Sequence, residues 1–169
     1  MPFTLPGDVR RACDQDVTEL RRLVNAAYKE LADLGFNYTG TYQDEEVTRD
    51  RMREAEVFLL HRDGELVGSI NLSVKEVDGE GSACLYVNQL AIRPDRKRQR
   101  LGSYLLDLAE ERARSLGLAR LRLDTAIPAV HLVEMYRQRG YREISEVQWE
   151  GKSYRSYIME KALNVHVHV

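Results

Sequence analysis

What the chain lacks sets its first limits. No stretch approaches the roughly 18 apolar residues that a membrane-spanning helix needs, and the opening MPFTLPGDVRRACDQD holds no long apolar run of the kind a leader carries. A cytoplasmic location with no membrane partner is therefore expected. Cysteine is nearly absent. Cys13 and Cys84 are isolated and share no metal-like spacing, which argues against a disulfide framework or a zinc site and leaves two buried thiols as the expectation. There are only 4 prolines and 11 glycines in 169 residues, with no internal repeat or low-complexity linker. Positive charge is not in surplus either. The formal net charge of −2 speaks against general nucleic-acid affinity, which needs a basic face.

What remains is an ordinary globular composition, 43% hydrophobic and 31% charged. The length suits one domain with its own core. A single domain over residues 1–169 is expected, with residues 162–169 as a strand end or loose tail. In that tail His166 and His168 stand two apart, a spacing able to chelate a metal on one strand face; with no third ligand nearby, no metal is expected.

Periodicity places the elements. Residues 9–12 read as a short strand. Asp16-Val17-Thr18-Glu19 has a helix-start pattern, with Asp16 as the capping acid, and Val17, Leu20, Val24, Ala27, Leu31 and Leu34 recur at helical spacing until Gly35. Residues 36–43 read as a loop carrying Tyr38 and Tyr42, and residues 44–53 as a short helix. The aromatic rings beside Asp44, Glu45 and Glu46 are either solvated surface or the lining of a pocket for a cationic substrate. VFLLHRDGELVGSINLSV reads as two strands joined at Arg62-Asp63-Gly64, and residues 74–81 as a second, acidic turn. ACLYVNQLAIR is a central strand stopped by Pro94. An apolar stripe of Tyr104, Leu105, Leu108, Ala109, Ala113 and Leu116 gives a helix ended by Gly117, and ARLRLDT gives the next strand. Strand, helix, strand in that order implies a parallel pair. Residues 128–139 form a further helix, and YREISEVQW with SYRSYIMEKAL a closing hairpin whose edge could pair with a second copy. The expected class is α/β, a mixed and mostly antiparallel twisted sheet flanked by helices.

The stretch RPDRKRQRLGSYLL sets Arg93, Arg96, Lys97, Arg98 and Arg100 against one acid, Asp95, at the junction of a strand and a helix. Unpaired backbone N–H groups and the positive end of the helix dipole converge at such a junction, which binds phosphate. Gly102 lets the backbone approach an anion, and Arg98, Arg100 and Lys97 supply charge around it. The bland alternative is a solvated loop whose arginines only complement nearby acids. Neither GxGxxG with a later acid nor GxxxxGK[ST] occurs there.

QLAIRPDRKRQRLGSYLL resembles the central motif of the GNAT superfamily of acetyl-CoA-dependent N-acyltransferases: a strand ending in Leu-Ala-Val or similar, a proline, then Gln/Arg-x-x-Gly-x-Gly/Ala at the helix start. EMYRQRGYRE, residues 134–143, resembles the family's Leu-Tyr-x-x-x-Gly-Phe segment. The order of elements matches over most of the chain. Three positions depart: Lys97 stands where the family has Gln or Arg, Arg100 replaces the first motif glycine, and Ala129 stands where an Asn often contacts the cofactor.

The resemblance implies a GNAT-like fold with acetyl-CoA as cosubstrate. It implies that backbone groups of Leu90, Ala91 and Ile92 hold the pantetheine arm and that Lys97, Arg98, Gln99, Arg100, Leu101, Gly102 and Ser103 hold the pyrophosphate. Tyr136 matches the family tyrosine near the thioester sulfur, a general acid, with a core aromatic as the alternative reading. Asp124 stands where some members carry a base, or caps a turn at Thr125 and Pro128. A backbone N–H on the Leu90 strand would meet the developing negative charge. The acceptor, a small-molecule or peptide amine, would be framed by residues 34–50, with Tyr38 and Tyr42, and by WEGKSYRSY near Trp149 and Tyr154. The implied enzyme is a monomer or homodimer that binds no nucleic acid. Two rivals stand beside it: a non-catalytic acyl-CoA sensor, and a phosphate-directed nucleic-acid or phosphoprotein binder, which lacks aromatic stacking residues in its loop.

Overall fold

A computed structural model describes residues 2–77, 82–97 and 99–164. Its elements are β1 (Val9–Arg11), α1 (Val17–Asp33), α2 (Thr39–Tyr42), α3 (Glu45–Glu54), β2 (Glu56–Arg62), β3 (Glu65–Val77), β4 (Ser82–Ile92), α4 (Leu101–Ser115), β5 (Arg120–Ala126), α5 (Val130–Gln138), β6 (Arg142–Val147) and β7 (Ser156–Ala162). The strands form one seven-stranded sheet in the order β1-β2-β3-β4-β5-β7-β6. Every neighbouring pair is antiparallel except β4 and β5, which the α4 crossover sets parallel. The β2–β3 hairpin turns where Asp63 and Gly64 both take positive φ, 53° and 76°, as a two-residue turn between twisted strands demands.

Two features set β4 apart from a regular central strand. Leu72 faces Val87 while Asn71 faces Gln89, so Asn88 is an extra residue, a bulge. The parallel pairing is also short: it joins Leu85, Val87 and the residue between them to residues 121–123 and goes no further. Past that point β4 and β5 run on unpaired.

Alternation along the strands divides the core. Ile70, Leu72, Leu85 and Val87 pack with Leu105, Leu106 and Ala109 of α4 on one face, while Val57, Leu59 and Ala91 pack with Leu20, Leu23 and Val24 of α1 on the other. At Gly68 a Cβ would lie 3.0 Å from Ile92 Cδ1 and 3.2 Å from Leu105 Cδ1, so a side chain there would have to push these ends aside by a few tenths of an ångström.

Several details correct the sequence reading. Thr39–Tyr42 is a single helical turn rather than loop. β3 persists to Val77, past the start of the turn placed at residues 74–81. The last helix begins at Val130, not at Pro128. Cys13 is exposed, because its neighbours belong to the surface turn before α1; only Cys84 is buried. Asp16 makes no side-chain cap on α1. Its carboxylate accepts instead from the Cys13 N–H at 2.7 Å and from Arg10 at 2.6 and 2.8 Å. His166 and His168 lie outside the described residues.

Candidate active site

Where β4 and β5 part, the sheet edge exposes backbone groups, and two tyrosines answer them. Tyr28 of α1 donates to the Leu90 carbonyl at 3.0 Å, and Tyr38, just before α2, accepts from the Ala126 N–H at 2.9 Å. The two rings lie 5.5 Å apart, and Tyr38 stacks on Tyr154 at 4.9 Å. Beside them opens a cleft of about 420 Å³. Among its lining residues are Leu90, Ile92, Arg100, Gly102, Asp124 and Tyr136.

The first turn of α4 closes one end of this cleft. Its first backbone bond runs from the Tyr104 N–H to the Arg100 carbonyl at 3.0 Å, which leaves the N–H groups of Leu101, Gly102 and Ser103 without intrahelical partners. Arg100 takes the left-handed conformation, φ 58° and ψ 26°, at the place of the missing motif glycine. That conformation costs a non-glycine residue roughly 1–2 kcal/mol, a strain such sites retain when the local geometry matters. Gly102 needs no positive φ, and among the described residues a Cβ there would touch only Ile92 Cγ1 at 4.0 Å. The protein's own packing does not demand glycine at this lining position, and its bareness suits close approach of an anion.

The basic loop divides by role. Arg93 is held by Asp95 at 2.6 Å and Glu65 at 3.1 Å, Arg96 meets Glu65 at 3.5 Å, and Lys97 pairs with Glu30. Arg100 makes no ion pair among the described residues and lines the cleft. Arg98 lies outside the described residues. Helix dipole, open N–H groups and Arg100 together suit a pyrophosphate.

At the other end stand Tyr136 and Asp124. The Tyr136 hydroxyl has no hydrogen-bond partner among the described residues, and its ring meets Tyr141 edge-on at 5.8 Å. Burial above all, with the neighbouring tyrosines and Asp124 adding to it, pushes its ionisation well above the ordinary phenol range, so the proton is retained. Asp124, on β5, is pushed up by burial too, with Tyr86 and then Lys75 opposing that shift. Tyr86 reaches across from β4 to donate to Asp124 Oδ2 at 2.8 Å.

Buried polar links fix the frame around this chemistry. Gln89, next to the bulge, donates to Gln43 at 3.0 Å, and Gln43 donates to Thr48 of α3 at 3.0 Å. Across the cleft mouth, Lys152 donates to the Asn37 carbonyl and to Thr39 Oγ1, both at 2.8 Å. The segment after α1 and the β6–β7 connection are thereby tied together.

Of the residues singled out in the sequence, Leu90, Ile92, Lys97, Arg100, Leu101, Gly102, Ser103, Asp124, Tyr136 and Tyr38 come together on the one cleft. Ala91 turns its side chain into the core beneath α1. Gln99 is exposed and off the lining. Tyr42 is 71% exposed and borders a separate depression with Arg21 and Asp44. Ala129 is buried at the start of α5. Tyr28 and His131, both on the cleft, carry no sequence signal.

Comparison with known proteins agrees with this geometry. The family model described as "Acetyltransferase (GNAT) family" matches residues 19–141. S-alkylcysteine N-acetyltransferase of Bacillus subtilis is 31% identical over 146 residues, 84% of this chain and 82% of that protein. IAA acetyltransferase of Azospirillum brasilense is 28% identical over 60% of this chain and 64% of that protein. Ard1 of Thermoplasma volcanium superposes with a TM-score of 0.73 at 17% identity, covering 92% of this chain and 96% of that one. A parted parallel strand pair, an open helix start aimed into the gap and a family match over most of the chain all agree: the protein belongs to the GNAT family of acetyltransferases.

Proposed function

We propose that the protein moves an acetyl group from acetyl-CoA to a primary amine by direct attack in a ternary complex. The observation that carries this reading is the convergence of a protonated Tyr136 hydroxyl with no partner among the described residues, the Asp124 carboxyl and the open first turn of α4 on one cleft. The backbone of Leu90, Ala91 and Ile92 would hold the pantetheine arm, and residues 97–103 the pyrophosphate, with Arg100 as its cation. Acetyl-CoA supplies the activated thioester. Asp124, directly or through water, takes the proton that the amine sheds as its nitrogen bonds to the acetyl carbon. Tyr136 gives its proton to the sulfur as the carbon–sulfur bond breaks. The β4 bulge at Asn88 turns backbone out of the ladder beside this point, where an N–H meets developing negative charge. The substrates in the names of the two relatives, S-alkylcysteine and IAA, are small molecules, which favours a small acceptor.

Calorimetric titration with acetyl-CoA and a thiol-release assay test the reading together. Micromolar 1:1 binding is expected, with Tyr136→Phe retaining that affinity while kcat falls about 10²- to 10⁴-fold. Binding without any turnover across a broad amine panel would favour the sensor reading. No binding at millimolar acetyl-CoA would remove both.

A further inference from the structure

On the sheet face away from α4, β3 and β4 line a second cavity of about 340 Å³ roofed by α3. Three observations mark it as a binding site. Asn71 lines it, is only 2% exposed, and its Oδ1 has no hydrogen-bond partner among the described residues. A buried acceptor left open is costly and is satisfied when a donor arrives. Arg51 of α3 also lines the cavity and makes no ion pair among the described residues, although Arg49 and Arg53 of the same helix are engaged by acids. Lys75 faces it from β3.

The cavity is linked to the reacting end of the cleft through Tyr86. Lys75 lies over the Tyr86 ring, 4.2 Å from its centre, and the Tyr86 hydroxyl donates to Asp124. Both Lys75 and Arg51 favour the charged form of Asp124, so the two cations lie within electrostatic reach of it. The bulge residue Asn88 is on the lining as well, with its Nδ2 donating to Ser73 at 2.8 Å. Asp50 and Glu54 complete the charged lining; both are exposed, and Asp50 is engaged by Arg53 at 3.2 Å.

An arginine fork and an ammonium lining one small cavity match a carboxylate, and an open amide oxygen inside it matches an N–H. We propose that this cavity is the acceptor subsite and that it selects α-amino acids, Arg51 and Lys75 holding the carboxylate while Asn71 Oδ1 accepts from the amine end. This rests on the acetyl-transfer reading above. It narrows the acceptor to amines that carry a carboxylate on the neighbouring carbon, which a protein N-terminus, a polyamine and an amino-sugar lack.

The test compares α-amino acids with aliphatic, thioether and aromatic side chains, their primary amides and the matching amines without the carboxyl group, each with acetyl-CoA in the thiol-release assay. The acids are expected to exceed the amides in kcat/KM by about 10- to 100-fold, the usual range for losing a charge-assisted hydrogen bond. In Arg51→Ala that ratio should collapse toward one through a raised KM for the acids, and Lys75→Ala should reduce it in part. Amides or bare amines turned over as well as the acids by the unaltered protein would overturn the proposal. So would an acid-to-amide ratio that Arg51→Ala leaves unchanged. Thermal shifts separate the two levels: stabilisation by acetyl-CoA with neither turnover of any acid nor stabilisation by any N-acetylated acid sinks the proposal alone. No stabilisation by acetyl-CoA sinks the reading beneath it.

Discussion

Tyr28→Phe isolates one hydroxyl. The ring stays, with its contact to Tyr38 at 5.5 Å, and only the donor to the Leu90 carbonyl is removed. Leu90 lines an open cleft, so water can replace the lost donor, and the cost to the free protein is the net value of one hydrogen bond, about 1 kcal/mol. For a chain of this length that lowers Tm by about 2–4 °C. On the proposed reading the pantetheine arm competes for the same carbonyl in the bound state, and the Tyr28 hydroxyl yields it. The variant yields only a water there. Acetyl-CoA should therefore bind it up to about five-fold more tightly, the same 1 kcal/mol now appearing as affinity. Calorimetry and thermal melts on the two proteins read both numbers. A lower Tm with unchanged or weaker binding would refute the exchange of partners at Leu90.

Arg100→Gly should relieve the left-handed strain at φ 58° and raise stability by about 0.5–1 kcal/mol, while acetyl-CoA binding weakens and loses part of its salt dependence. Because burial raises the Asp124 carboxyl, activity should fall as pH drops through a value above the ordinary carboxylate range, and Asp124→Asn should abolish that limb along with most of the rate. The same group sets a stability slope. A raised folded-state value means its favourable contribution is complete below about pH 4 and is lost as pH rises through that raised value, so Asp124→Asn should show a flatter melt-versus-pH curve. Gln89→Leu leaves the buried Gln43 Oε1 without its donor and should cost about 1–3 kcal/mol in urea unfolding.

The alternation of β2 and β3, the Asp63-Gly64 turn and the glycine stops at Gly35, Gly117 and Gly140 are local signals, and the strands and helices they predict appear in the structure. The cleft was legible as far as its residues lie in contiguous motifs, from Leu90 to Ser103 and around Tyr136. Tyr28 and Arg51 were not, because α1 meets β4, and α3 meets β2 and β3, only through tertiary packing, and nothing local distinguishes a helical tyrosine that reaches a strand edge from one that fills a core. Tyr38 and Tyr42 show the same limit at closer range. They are four residues apart in one aromatic stretch, yet the helical turn between them sends the first onto Tyr154 and leaves the second in solvent.

The short β4–β5 pairing makes the sheet two plates joined along a seam. One plate holds β1 to β4, the other β5, β7 and β6, and three paired backbone positions carry the ladder across the join, beside the α4 crossover and the Tyr86–Asp124 hydrogen bond. Resistance to opening is lowest where ladder bonds are fewest, so amides flanking the seam are the ones whose hydrogen exchange should respond to whatever occupies it. A ligand strung along the β4 edge would act as a seam-filler, and its grip would register as slower exchange on both plates at once.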